Sequence, residues 1–231
     1  ITRYNWLSGT TYVAYDDQLS TLSTSQYYVI TDELNVYKCL QAGTGSSVVK
    51  PTGQTTNAAN ALESDGYVWK FMATLSGTQA TKFLTNSFVP VNVITSNDGS
   101  LQYDVQTNAQ VGSIHRIVTT TGGSGYTSTP TVTISGNGSS ATAAATVVGG
   151  VVTSITMSNI GTAYDEALVT ITGGGGTGCT ARAIISPPGG HGSNMADELG
   201  AFFIMCNVNL DSAEGSGDFP IDNDFRQLGL I

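Results

Sequence analysis

Two stretches of this chain repeat each other, and the repeat limits the available folds more than any other feature. SIHRIVTTTGGSGYTSTPTVTISGNGSSATAAATV lies above TSITMSNIGTAYDEALVTITGGGGTGCTARAI. Ile117 matches Ile155 and Tyr126 matches Tyr164, each 38 residues apart, while Ile134 matches Ile171 at 37, one residue having been lost between them. Each copy reads as strand, glycine turn, tyrosine, strand (TVTI or LVTI), Gly-rich turn and strand, and GGV at 149–151 links the two. A single three-stranded unit cannot bury its own apolar face, so the copies at 113–148 and 151–186 are expected to stack or pair.

The flanks have a different texture. YYVITD (27–32) and NVYKCLQ (35–41) are β-rich runs close enough for a hairpin. A polar stretch at 42–64 reads as loop. In DGYVWKFMATL (65–75), Tyr67, Trp69, Phe71 and Ala73 alternate with Val68, Lys70, Met72 and Thr74, which predicts a strand with its aromatic face inward. SGTQATKFLTN (76–86) predicts a short helix capped by Ser76 or Thr78 and anchored by Phe83 and Leu84. NDGSLQYDVQTNAQ (97–110) predicts a second, capped by Asn97 or Asp98, with Leu101, Val105 and Ala109 as its stripe. After the repeat, AFFIMCNVNL (201–210) alternates with both faces apolar at its start and predicts a central strand. DSAEGSGDFPIDND (211–224) reads as an acidic loop and FRQLGLI as the beginning of another strand. The expected class is mainly β (α+β): a β-sandwich-like domain with short flanking helices, residues 1–95 and 186–231, interrupted by an inserted domain at 96–185 that carries a short helix and the Gly-rich β-repeat.

Composition narrows the function classes. Only 11% of residues are charged, and 17 Asp and Glu outweigh 8 Lys and Arg for a net charge of −9. Without a Lys/Arg run to neutralise phosphates, no nucleic-acid role is expected, and an acidic surface does not favour an anionic membrane. No apolar run approaches the ~20 residues of a membrane-spanning helix, and no signal peptide is visible. Cys39, Cys179 and Cys206 are far apart without a CxxC, so no zinc site is indicated; an odd number of thiols fits a reducing compartment, with each cysteine a small buried hydrophobe. The opening Ile1 and the closing LGLI read as cuts through a longer protein.

Candidate chemistry is sparse. His115, in SIHRIV, alternates with apolar residues and is expected to face outward. His191, in PPGGHGSNMADELG (187–200), is the better candidate for a general base, with Asp197 and Glu198 following. No GxSxG elbow accompanies it. The bland reading of that stretch is a joint: two prolines end a strand, glycines turn the chain, Ser193 or Asn194 caps a short helix with Asp197 and Glu198 in its first turn, and Gly200 ends it. His191 is then expected to brace the joint by a hydrogen bond. GGGGTG (173–178) lacks the Lys and Ser/Thr of a phosphate loop, and GGSGYT (122–127) lacks the spacing and helix of a dinucleotide fingerprint; both read as turns. The acidic loop fits no EF-hand. Tyr126 and Tyr164 could stack on sugars if exposed, though packing over a glycine turn accounts for their position better. No cofactor and no metal are expected.

The non-repeat motifs carry a resemblance. ITRYNWLSGTTYVAYDD, YYVITDELNVYKCL, a KPTG loop, DGYVWKFM followed by KFLTNSFVPV, GGHGSNMADELGAFFIMCNVNL and DFPIDNDFRQLGLI occur in this order. The set resembles the baseplate wedge subunit, the product of gene eight, of T-even-like contractile-tailed bacteriophages, in its marine cyanophage variant. The match rests on Arg3 with Trp6, on the VYKC that holds Tyr37, Lys38 and Cys39, on the DGYVW that holds Gly66, Tyr67 and Trp69, on His191, and on the FRQ of Phe225, Arg226 and Gln227. The resemblance implies a structural virion protein of the tail baseplate rather than an enzyme. It also implies a homodimer in each wedge, contacts with other wedge proteins, and assembly in host cytoplasm. The alternative is a carbohydrate- or receptor-binding tail module acting through the repeat; a hydrolase built on His191 is a third reading.

Overall fold

The computed structural model describes residues 1–57, 59 and 62–207 and is mainly β, with few short helices and antiparallel sheets. Strand β1 (Tyr28–Ile30), β2 (Asn35–Gln41) and β3 (Val68–Thr74) form an antiparallel sheet in that order. β1 and β2 make the expected hairpin, in register Tyr28 to Lys38 and Ile30 to Val36. β3 pairs the other edge of β2, with Tyr37 opposite Phe71 and Cys39 opposite Trp69. The aromatic face points inward as the alternation requires: Tyr37, Cys39, Tyr67, Trp69 and Phe71 pack with Tyr12, Ala14 and Val29. The opposite face is buried too. Val36, Leu40 and Met72 meet Ile184, Met195 and Leu199 there, and Lys38 and Lys70 share that face. The 42–64 stretch is loop where described, and the Asp65 carboxylate braces it by accepting from the Ser47 hydroxyl and the Val48 and Val49 amides.

Helix α1 (Gly77–Phe83) is capped by Ser76, whose hydroxyl accepts from the Gln79 amide while the Gln79 side chain accepts from the Ser76 amide. Helix α2 (Leu101–Thr107) forms where expected, but its cap and buried face differ. Ser100 caps it, because Asn97 and Asp98 are already used in turns, accepting from the Gly99 and Ser100 amides. Val105 and Gln102 are buried and Leu101 is 41% exposed. The helix is rotated so that Gln102 and Gln106 bind the backbone of Asn92 and Ile94, a demand the apolar spacing does not record.

Beyond Gly112 come six strands: β4 (Ile114–Ser124), β5 (Thr131–Gly136), β6 (Ser139–Val148), β7 (Val151–Thr162), β8 (Ala167–Thr172) and β9 (Thr177–Ile185). They pair as three antiparallel ribbons, β4 with β9, β5 with β8 and β6 with β7. The first strand of each matched segment thus pairs with the last strand of the other, and the middle strands pair together. β6 and β7 are joined by Gly149 and Gly150, both at positive φ, the conformation of a tight hairpin whose twist suits its strands. The 38-residue spacing recurs in the backbone: positive φ occurs at Gly123 and Gly161, at Gly125 and Ala163, and at Ser140 and Gly178. Tyr126 donates its amide to the Gly150 carbonyl, and Tyr164 does the same to Gly112. A Cβ on Gly176 would sit 2.4 Å from the Tyr126 ring, and one on Gly138 would sit 2.4 Å from the Tyr164 ring. Each tyrosine therefore lies over a glycine of the opposite segment.

The two ends of this region meet. The Ser186 amide donates to the Ser113 carbonyl and the Ser113 amide to the Ser186 hydroxyl. Helix α3 (Met195–Glu198) follows, capped by Asn194, with Gly200 at positive φ just past its end. Residues 201–207 do not form the expected strand: Ile204 alone makes a bridge, and Phe202, Phe203 and Ile204 are exposed. Alternation supplies two faces but does not by itself supply the neighbouring edge a strand needs, and among the described residues no named strand pairs with this segment; it lies by α1, with Phe203 against Phe88 and the Asn207 side chain donating to the Lys82 carbonyl. The 211–224 loop and the FRQ motif (Phe225, Arg226 and Gln227) lie outside the described residues.

Candidate functional site

The most unusual chemistry is buried where β2, β3, β4 and the segment after β9 converge. Lys38 is 0% exposed and donates to Glu198 Oε2 at 2.8 Å, with Nζ 4.0 Å from the centre of the Tyr15 ring. The other oxygen, Oε1, accepts the Gly192 amide at 2.7 Å and the Asn194 amide at 3.2 Å. Tyr27 reaches the same helix through its hydroxyl, which donates to the Glu198 carbonyl at 2.8 Å. Lys70 donates to the Thr56 carbonyl. Removing a cation from water disfavours its charged form. Burial accordingly pulls Lys70 down to about 8, and pulls Lys38 down even with Glu198 beside it.

Two histidines complete the cluster. His191 is buried between Tyr15 and His115, its ring 5.0 Å and 5.1 Å from theirs. Burial and the neighbouring lysines hold His191 well below its usual titration range and lower His115 to about 4, so both are neutral at pH 7. His115 does not face outward as expected. The side of β4 turned from the repeat core is covered by the joint, and the ring enters the cluster. Nor does His191 make the expected bracing hydrogen bond: Nδ1 has no partner among the described residues and lies 4.0 Å from Glu198 Oε2. It braces by ring packing.

The other motif residues divide by role. Tyr37, Cys39, Tyr67 and Trp69 lie in the aromatic core; Trp69 stacks on Tyr67 with rings 5.7 Å apart, and burial pushes the Cys39 thiol up to about 12. Gly66 turns the chain at φ +86°. Arg3 binds the Asn5 side chain and the Thr85 carbonyl, and Trp6 donates its indole N–H to Ser47. Cys179 is half-buried and Cys206 exposed, so only Cys39 is the buried hydrophobe expected of all three. Sequence reasoning missed Lys38 and Lys70 as partners in a site. The available signal was a lysine within each of two apolar strand runs.

A second charged set ties the two regions. Arg182 pairs with Asp16, with Asp17 3.8 Å away, while Arg116 donates to the Tyr15 carbonyl at 2.9 Å. Arg182 and Arg116 hold Asp16 below the usual carboxylate range.

The cluster can fix charges and pack rings. Nucleophilic catalysis needs a hydroxyl or thiol bonded to the histidine base, and nothing described bonds His191 Nδ1. No group of three or more His, Cys, Asp or Glu among the described residues could hold a metal ion. No described helix is long and apolar enough to cross a membrane. GGGGTG and GGSGYT are turns and strand ends of the ribbons. Tyr126 and Tyr164 are 5% and 3% exposed and offer no face to a sugar. No family model, curated protein or solved structure matches the chain.

Proposed function

We propose that this chain is a structural subunit of a phage tail baseplate wedge, working through protein–protein contacts as a homodimer among other wedge proteins. In this reading it is not an enzyme. A β-sandwich-like wedge domain, residues 1–95 with 186–231, is interrupted by the Gly-rich β-repeat of the inserted segment. The reading rests on the ordered run of motifs from ITRYNW to FRQLGLI. The setting of the described motif residues is consistent with it: Tyr37, Cys39, Tyr67 and Trp69 fill a core, Lys38 and His191 join the sheet to the return segment, and Arg3 secures the chain beside Thr85. Such roles suit a scaffold. No observation favours the carbohydrate-binding reading, since the tyrosines it needs are covered.

Sedimentation of the full-length chain at micromolar concentration tests the proposal, together with mixing against candidate wedge proteins. A dimer that joins a wedge complex is expected. A monomer that binds none of them would overturn the reading.

A further inference from the structure

A buried ammonium and carboxylate pay a desolvation cost for remaining charged, even when paired. Condensation removes both charges. We propose that Lys38 and Glu198 form an intramolecular isopeptide bond, linking β2 covalently to α3 across 160 residues. The structure shows the pair before the bond forms, and the inference stands independently of the wedge reading.

The surroundings match what amide formation requires. The amine is held in place by Glu198 Oε2 at 2.8 Å and by the Tyr15 ring. Oε1 already receives two backbone N–H groups, from Gly192 and Asn194, which is the arrangement that takes up negative charge on a tetrahedral oxygen. His191 Nδ1 is 4.0 Å from Oε2 with no hydrogen-bond partner among the described residues, and a shift of about 1 Å would bring it within reach to relay a proton. The Lys38, Glu198 and His191 side chains are 0%, 2% and 3% exposed, so little water reaches the bond to hydrolyse it. Desolvation already favours the free amine of Lys38.

The step balances without an oxidant or co-reactant. The ammonium proton passes to Oε2, leaving a neutral amine and a neutral acid. The Nζ lone pair bonds to the carboxyl carbon, and the C=O pair moves onto Oε1 under the two amides. His191 takes a proton from the attacking nitrogen and returns it to Oε2. The C–Oε2 bond breaks, its electron pair leaves with the oxygen, and water departs as Oε1 regains its double bond. Lys70 keeps its bond to the Thr56 carbonyl throughout.

Intact-mass spectrometry of the folded full-length protein, followed by proteolysis and fragment sequencing, tests this. The expected mass is lower than the sequence mass by one water, with a branched peptide joining Lys38 to Glu198. Lys38→Arg, checked for folding by circular dichroism, should restore the sequence mass, and His191→Gln should slow the loss by roughly 100-fold. A wild-type protein that keeps its sequence mass after days at neutral pH would overturn the proposal. So would a water loss that persists in Lys38→Arg, or that fragments to the Asp-Gly pairs at Asp65 or Asp98, where a cyclic imide gives the same mass. Because wild-type protein alone decides, an unfolded variant does not blunt the test.

Discussion

The sheet of β1, β2 and β3 and the ribbons of β4 to β9 are both antiparallel and both built on alternation, yet different things hold them. The sheet is filled by large rings: Trp69, Tyr67, Tyr37, Tyr12 and Phe71 are fully buried. The ribbons bury aliphatic residues, Ile114, Ile117, Ile155 and Val169 with Ala145, Val152 and Ala183, beside two tyrosines, and they also rely on glycines that let backbone and ring approach closely. One region depends on side-chain volume. The other depends on the absence of side chains at set positions. The first should therefore fail when a residue is made smaller, and the second when one is made larger.

The strongest test of that contrast is Trp69→Ala. A cavity in the aromatic core should cost roughly 3–5 kcal/mol, read from chemical denaturation. A cost under about 1 kcal/mol would mean the core collapses around the loss. Next, Gly138→Ala and Gly176→Ala press a methyl group onto Tyr164 and Tyr126 and should each cost about 1–3 kcal/mol. Because the two positions are equivalent by the 38-residue spacing, their effects should agree. Unequal values would break the equivalence of the two segments.

The junction should respond to acid before either region does. His115 and His191 titrate lower in the folded chain than their ordinary value of 6.5. The unfolded chain then binds more protons, so stability is complete above about pH 6.5 and falls as the pH drops toward 4. Melting temperature measured between pH 7 and 4 should decline, and His115→Phe should flatten the decline. An unchanged slope in that variant would place the acid sensitivity elsewhere. The smallest effect belongs to the surface: Ser76→Ala removes one half of the α1 cap and should cost about 1 kcal/mol.

Much of this was readable from the residues. Period-two runs locate β2 and β3, a short gap between β-rich runs gives the hairpin, and Ser76 or Thr78 marks a helix start. Where the sequence misled, a tertiary demand intervened. Leu101 belonged to the apolar stripe of α2, but Gln102 and Gln106 had backbone groups to satisfy. His115 lay on the polar side of β4, but the joint covers that side. Phe202 to Met205 alternated well, yet no named strand among the described residues pairs with them.

By itself the sequence determined the periodicities, the turns and the 38-residue repeat, because these depend on neighbours along the chain. Only the tertiary structure decided that the matched segments exchange strands, that the sheet is buried on both faces, and that Lys38 meets Glu198. Those facts depend on which surfaces meet across scores of residues, and local pattern carries no record of the partner.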